Sequence, residues 1–337
     1  MDGQLTNVGG ARIETYTYDK EGNRTLTGYS TGTGNRLTAD GTYTYSYDSE
    51  GNMVGRTKTS NGEVTTFTWD FRNRLTEVLI KSSGGTTLQD DKFSYDIENR
   101  RIGKNTLSGG QSWTGYDDVN PYADFNSSGS LTFQYLYGNA IDFLLARINT
   151  SFDPTWYLTD KIGSVRLMVN KSGSVIDTIT YDSYGNITNE TSPSSGDRFK
   201  FTGREWDSEI GQYFYRARYY NPGAGRFDSE DPIGFEAGDA NLYRYVGNRP
   251  TNATDPTALY LEIQEHMKGK PIELFFGKDN VEYMPIKGKP GWFKVKLKEG
   301  AALHLENYVK DKGDKVKAYA AWLFTQASSN SKSVLRP

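Results

Sequence analysis

A short phrase recurs along the first half of the chain, and it constrains the fold more than any other feature. Tyr18-Asp19-Lys20-Glu21-Gly22-Asn23-Arg24 returns as Tyr47-Asp48-Ser49-Glu50-Gly51-Asn52-Met53, Trp69-Asp70-Phe71-Arg72-Asn73-Arg74-Leu75 and Tyr95-Asp96-Ile97-Glu98-Asn99-Arg100-Arg101. A later copy reads Tyr181-Asp182-Ser183-Tyr184-Gly185-Asn186. The first four aspartates stand 29, 22 and 26 residues apart, so the repeat is degenerate. Three residues after each Asp comes Gly or Asn, the types that tolerate positive φ, which marks a hairpin turn. The short Asp side chain is expected to bond amides of its own turn. Alternation flanks the turns, as in Thr42-Tyr43-Thr44-Tyr45-Ser46-Tyr47 and Thr65-Thr66-Phe67-Thr68-Trp69. A period of two places aromatics on one sheet face and Thr on the other. One such hairpin cannot bury its aromatic face, whereas stacked neighbours can. The expectation is a mainly β, antiparallel ribbon with Tyr16, Tyr43, Phe67 and Phe93 on its aromatic face. Positive φ is expected at Gly22, Gly51, Asn73 and Asn99.

Composition narrows the chemistry. The 337 residues include no Cys, which removes disulfides, thiolate zinc sites and a cysteine nucleophile together. His266 and His304 are the only histidines, so chemistry upstream of residue 266 runs without imidazole. Mean hydropathy is −0.70, and no run approaches the roughly 18 apolar residues of a transmembrane helix. The opening MDGQLTNVGG has neither the basic nor the apolar region of a signal peptide. The calcium-loop spacing Asp-x-Asp-x-Asp-Gly is missing from every repeat, so neither metal nor other cofactor is expected. Near residue 260 the balance changes. Residues 260–337 carry 14 basic and 9 acidic residues, a net of +5, against 25 and 33 upstream, a net of −8.

The phrase Tyr-Asp-x-x-Gly-x-Arg-Leu resembles the YD repeat of RHS-family proteins. Downstream the resemblance sharpens. Thr202-Gly203-Arg204-Glu205-Trp206-Asp207 leads into Gly211-Gln212-Tyr213-Phe214-Tyr215-Arg216-Ala217-Arg218-Tyr219-Tyr220-Asn221-Pro222, then Gly225-Arg226-Phe227, Asp231-Pro232-Ile233-Gly234 and Asp255-Pro256. This stretch looks like the RHS repeat-associated core domain over 199–259, the C-terminal part of a polymorphic toxin or a toxin-complex C-type protein. The resemblance implies a sheet that spirals into a shell, or cocoon, with the core domain as a plug and a variable effector enclosed. It implies three segments: YD shell 1–198, core 199–259 and effector 260–337. The composition break falls where the family places its junction. Opening directly in a repeat with few copies, the chain is expected to be part of a longer protein.

In similar core domains two aspartates act as an internal aspartyl protease, which implies Asp231 and Asp255 here and a scissile bond between Leu259 and Tyr260. Two nearby carboxylates do not readily both ionise, so one serves as base for a water and the other as acid. The sequence does not divide the two roles. Asp239 is a candidate third acidic member. Arg226 is a candidate cation for the dyad or the tetrahedral oxyanion. Where the family has Gly in the second motif this chain has Ala258, and a Cβ would penalise a positive φ there.

The tail reads as a small α+β segment: a short helix over 261–268, a strand at Trp292–Lys298 and a helix at Lys315–Thr325. Its net charge suits an anionic partner such as nucleic acid. A nuclease site using His266 or His304 with Glu306 is conceivable beside a purely structural role. Implied partners are the chain's own N-terminal shell or a B-type shell protein, an immunity protein and a delivery apparatus, for a secreted or cell-surface-delivered toxin of interbacterial competition. The alternative is an extracellular YD-repeat adhesion or carbohydrate-binding protein without cleavage.

Overall fold

The computed structural model describes residues 4–9, 13–138, 141–259, 261–264, 281–285 and 292–297. Its main element is a 16-stranded sheet running from Tyr29–Thr31 to Ile187–Glu190, in which every strand pairs with its neighbours in the chain. All pairings are antiparallel, so the sheet is an unbroken meander of hairpins.

The repeated phrase builds turns along one rim, though not the one at 118–119. Gly22, Gly51, Asn73, Asn99 and Gly185 all take positive φ, at 80°, 82°, 56°, 64° and 90°. In each turn the Asp Oδ1 accepts the backbone N–H four residues on. The distances are 2.8 Å from Asn23, 2.8 Å from Asn52, 3.1 Å from Arg74, 3.0 Å from Arg100 and 2.9 Å from Asn186. The aspartates are turn formers, as expected. On the opposite rim Asn126, Asn149 and Asn170 make the same bond, at 3.0 Å each, to the amides of Ser130, Asp153 and Ser174.

The phrase also ties successive repeats together. Its aromatic reaches back: Trp69 Nε1 donates to the Met53 carbonyl at 2.8 Å, and the Tyr95 hydroxyl to the Leu75 carbonyl at 2.8 Å. The residue four after Asp reaches forward. Asn52 Nδ2 donates to Asn73 Oδ1 at 2.9 Å, and Arg74 to the Asp96 carbonyl at 3.2 Å.

The two faces separate as the alternation predicts. Along Val64–Trp69, Phe67 is buried while Val64, Thr66 and Thr68 are exposed, but Thr65 is buried on the aromatic face as well. Tyr16 and Phe93 are buried and Tyr43 is half-buried, with the Arg56 guanidinium 4.8 Å from the Tyr43 ring centre. The turn before the sheet's last strand meets the segment that precedes its first strand. The Tyr16 ring lies 4.9 Å from that of Tyr184, and the Ser183 amide donates to Glu14 at 3.1 Å. First and last repeats thus adjoin, and much of the aromatic face packs against Ile210, Phe214 and Tyr219.

Against the rim of repeat turns sits a second, four-stranded sheet: Glu205–Asp207, Gln212–Phe214, Tyr219–Asn221 and Arg226–Phe227. Tyr213, Tyr215, Tyr220, Phe227 and Tyr245 form its fully buried aromatic core. This plug bonds to the rim at many points, among them Met53 N–H to Asp228 C=O at 2.9 Å and Val165 N–H to Lys200 C=O at 3.0 Å. Tyr243 OH donates to Gly51 C=O at 2.8 Å. Buried charges cross the same boundary: Arg101 pairs with Asp207 and, at 3.2 Å, with Glu205, while Lys104 meets Asp207 at 2.9 Å.

In the tail, Leu261–Gln264, Val281–Pro285 and Trp292–Leu297 form an antiparallel sheet with the last strand in the middle. The expected strand at 292–298 is present. The expected helix over 261–268 is corrected: Leu261–Gln264 is a strand paired with 292–295. Leu-Glu-Ile-Gln alternates with period two, and long-range pairing outweighs the good helix propensity of Leu, Glu and Gln. Residues 265–268, the helix expected at 315–325, His266, His304 and Glu306 lie outside the described residues.

Candidate functional site

The site is built on the plug, where two Asp-Pro turns converge on one arginine. Asp231 follows the Arg226–Phe227 strand. Its Oδ1 accepts the Ile233 amide at 3.1 Å, and its own amide donates to the Leu242 carbonyl at 3.0 Å. The second turn closes on itself: the Leu259 amide donates to Asp255 Oδ1 at 3.0 Å, and the Ala258 amide to the Asp255 carbonyl at 3.2 Å. Both aspartates are buried, at 8% and 5% exposure.

Between them lies Arg218, a residue the sequence reading passed over. Its Nη2 is 2.7 Å from Asp231 Oδ2 and 3.7 Å from Asp255 Oδ2. Its Nε donates to the Ala258 carbonyl at 2.7 Å and its Nη1 to the Leu242 carbonyl at 2.9 Å. The guanidinium carbon stands 3.7 Å from the centre of the Phe227 ring. A flat, five-donor cation suits such a junction, since it serves several acceptors at once. Two residues earlier, Arg216 donates to the Pro256 carbonyl and bridges to Asp142. The pattern Arg-Ala-Arg therefore clamps the 255–259 segment from one side.

Burial pushes the Asp231 carboxyl above its usual pKa, and Arg218 opposes that shift. Burial likewise lowers the Arg218 pKa against the pull of Asp231, Asp255 and Asp239. A cavity of about 50 Å³ opens beside the pair, lined by Arg218, Asp231, Asp239, Arg244, Asp255 and Leu259. That is room for a water at polar walls.

The other two candidate residues fall differently. Asp239 lines the same cavity, where Arg244 holds both its oxygens at 2.7 Å. Arg226 faces elsewhere. Its guanidinium lies 4.8 Å from the Tyr243 ring centre and donates to the Asn35 carbonyl. Arg218, rather than Arg226, is the cation between the aspartates. Its only signal in the sequence is a charge set among buried aromatics in Tyr213-Phe214-Tyr215-Arg216-Ala217-Arg218-Tyr219-Tyr220. Ala258 does occupy the left-handed region, at φ 57°, and is fully buried. Leu259 borders the cavity, and Tyr260 lies outside the described residues.

A meander of Tyr-Asp turns, curled on itself and closed by an aromatic plug, defines the class: a YD-repeat shell protein. The teneurin YD-shell family model matches residues 1–251, and the chain belongs to that RHS/YD-repeat family. The match includes Asp231 and stops short of Asp255. The tRNA nuclease WapA of Bacillus subtilis is 32% identical over 269 residues, covering 74% of this chain and 11% of WapA. Toxin protein Tse5 of Pseudomonas aeruginosa is 27% identical over 263 residues, 68% of this chain and 20% of Tse5. Double-stranded DNA deaminase toxin A of Burkholderia cenocepacia is 27% identical over 288 residues, 74% of this chain and 19% of the toxin. The chain thus spans a fifth or less of these relatives' lengths. The crystal structure of TcdB2-TccC3-Cdc42 aligns with a TM-score of 0.49 at 20% identity, covering 74% of this chain and 15% of that one. Among the described residues no helix is long and apolar enough to cross a membrane.

Proposed function

We propose that residues 1–198 are part of a toxin shell, that 199–259 are its self-cleaving plug, and that 260–337 are the effector released by the cut. The observation that carries this reading is the convergence of Asp231 and Asp255 on one buried cation, with Leu259 hydrogen-bonded to one of them. In the cleavage step a water oxygen adds to the Leu259 carbonyl carbon. One carboxylate takes the water's proton, the other carboxyl gives its proton to the Tyr260 nitrogen, and the peptide bond breaks. Neither histidine nor metal is needed.

Relatives that share this stretch carry names with different activities, a tRNA nuclease and a DNA deaminase toxin among them. A shared shell with interchangeable effectors accounts for that. The effector's net charge of +5 fits an anionic target such as nucleic acid. Its partners are then the remaining shell, supplied by the same chain or by a B-type protein, an immunity protein, and an apparatus that secretes or delivers the toxin. The test is whether the purified chain runs as two fragments with a new N-terminus at Tyr260, and whether Asp231→Asn and Asp255→Asn each leave it whole.

A second reading, an adhesion or carbohydrate-binding shell without cleavage, draws on Trp113, Tyr122 and Trp156, which stand exposed on the outer sheet. An intact chain that binds glycans through these rings would favour it.

A further inference from the structure

The repeated phrase sets two buried arginines against the plug, and only one of them meets an acid. Arg24 and Arg101 both stand five residues after their turn Asp, where other copies have Met53, Leu75 and Ile187. Arg101 is paired with Asp207 and Glu205. Arg24 is just as firmly enclosed, at 9% exposure, yet it makes no ion pair. We infer that Arg24 and Arg226 form a binding site for a monatomic anion, chloride first, where the first repeat meets the plug.

The free donors converge on one small space. Arg24 Nη1 donates to the Gly223 carbonyl at 2.9 Å, and its guanidinium carbon lies 4.0 Å from the Tyr184 ring centre and 4.9 Å from that of Tyr16. Its Nε and Nη2 are buried without a hydrogen-bonded acceptor. Nη2 lies over Gly225, where a Cβ would come within 2.1 Å of it. Arg226, at 8% exposure, donates to the Asn35 carbonyl, but its Nε is likewise buried and unbonded. Both arginines line one cavity of about 10 Å³, walled also by Gly22, Asn23, Leu37 and Asn241. That is room for a single water-sized occupant, and too little for a carboxylate or an oxyanion such as phosphate.

The neighbouring charges do not neutralise these two cations. Arg244, which also borders the cavity, is taken by Asp239 at 2.7 Å, and Arg36 by Glu230 at 3.5 Å. Asp228 lies within electrostatic reach of Arg226 but makes no ion pair with it, and burial raises its pKa to about 7. The Arg24 and Arg226 charges repel each other. Stacking on two Tyr rings softens the burial of Arg24 without supplying a full negative charge. A buried charge with no partner is strongly disfavoured, and an N–H without an acceptor adds to that penalty. A water would answer the free N–H groups but not the charge. Chloride answers both, since it accepts from Arg24 and Arg226 together and offsets their repulsion. The anion then does at the first repeat what Asp207 and Glu205 do at Arg101: it ties the shell to the plug.

The test uses the full chain in two measurements. Melting is followed at one ionic strength of about 0.15 M in sodium chloride, sodium bromide or sodium gluconate, whose anion is too large for the cavity. Chloride and bromide should raise the midpoint above that in gluconate by roughly 2–4 °C. Arg24→Met, which copies Met53 at the same repeat position, should erase that difference. Bromide-soaked crystals of the parent should show an anomalous peak between Arg24 and Arg226. A water at that place, with no anomalous peak, overturns the proposal even if Arg24→Met fails to fold. A chloride effect that persists undiminished in folded Arg24→Met overturns it as well.

Discussion

Single residues carry strain and charge that mutation can expose. Ala258 sits at φ 57°, where an L side chain costs about 1–2 kcal/mol. Glycine relieves that cost but loses roughly 0.5–1 kcal/mol through chain entropy. Ala258→Gly should therefore stabilise the chain by at most about 1.5 kcal/mol in urea melts while speeding the proposed cut. Asp228 tests the plug's electrostatics. It is buried near Arg56 and Arg226, and burial raises its pKa to about 7. A raised folded pKa means that its favourable contribution is complete below its unfolded value of about 3.9. That contribution is lost as pH climbs through about 7. Asp228→Asn should accordingly stabilise the protein at pH 8, by up to about 4 kcal/mol, and change little at pH 4. Equal effects at both pH values would show that its charge is not at issue.

At the scale of elements, the repeated phrase does three jobs: its aromatic ties the previous hairpin, its Asp shapes its own turn, and the residue four later ties the next. Tyr95→Phe removes the back-link to Leu75 and the phenol's bond with Tyr219, and should cost about 1–2 kcal/mol. Asp48→Ala removes the acceptor for the Asn52 amide and side chain and should cost more, about 1–3 kcal/mol, with faster amide exchange in that hairpin. Turns and faces were legible in the sequence because both are local: a Gly or Asn at fixed offset from Asp, and a period of two. The links between repeats were not, since they depend on which turns the sheet brings side by side. Asn126, Asn149 and Asn170 escaped notice for a related reason. They form the same turn but start from Asn rather than Asp, and only Asn126 follows an aromatic, Phe125. At the site, the motif resemblance located both aspartates but not Arg218, whose partners lie 13 to 40 residues away in sequence. The strand at 261–264 was misread because four residues of alternating pattern suit either state until a partner strand decides.

At the scale of the whole molecule, the shell depends on its plug and the plug on the shell. Arg101 is buried between Asp207 and Glu205 across that boundary. Arg101→Ala would leave two buried carboxylates without it, a loss of roughly 3–5 kcal/mol. Limited proteolysis should then find the plug strands far more accessible, while a variant as resistant as the parent would mean that the two sheets do not depend on this contact. Under the proposed cleavage, the opposite net charges, −8 upstream of residue 260 and +5 from there on, favour retention of the released segment. Screening over a Debye length of about 8 Å weakens that attraction in physiological salt. The most direct measurement is N-terminal sequencing and intact mass of the purified chain and its Ala258→Gly, Asp231→Asn and Asp255→Asn variants. The account predicts fragments of residues 1–259 and 260–337 with a new terminus at Tyr260, formed faster in Ala258→Gly and absent from both Asn variants. An intact parent together with an intact Ala258→Gly chain would contradict it.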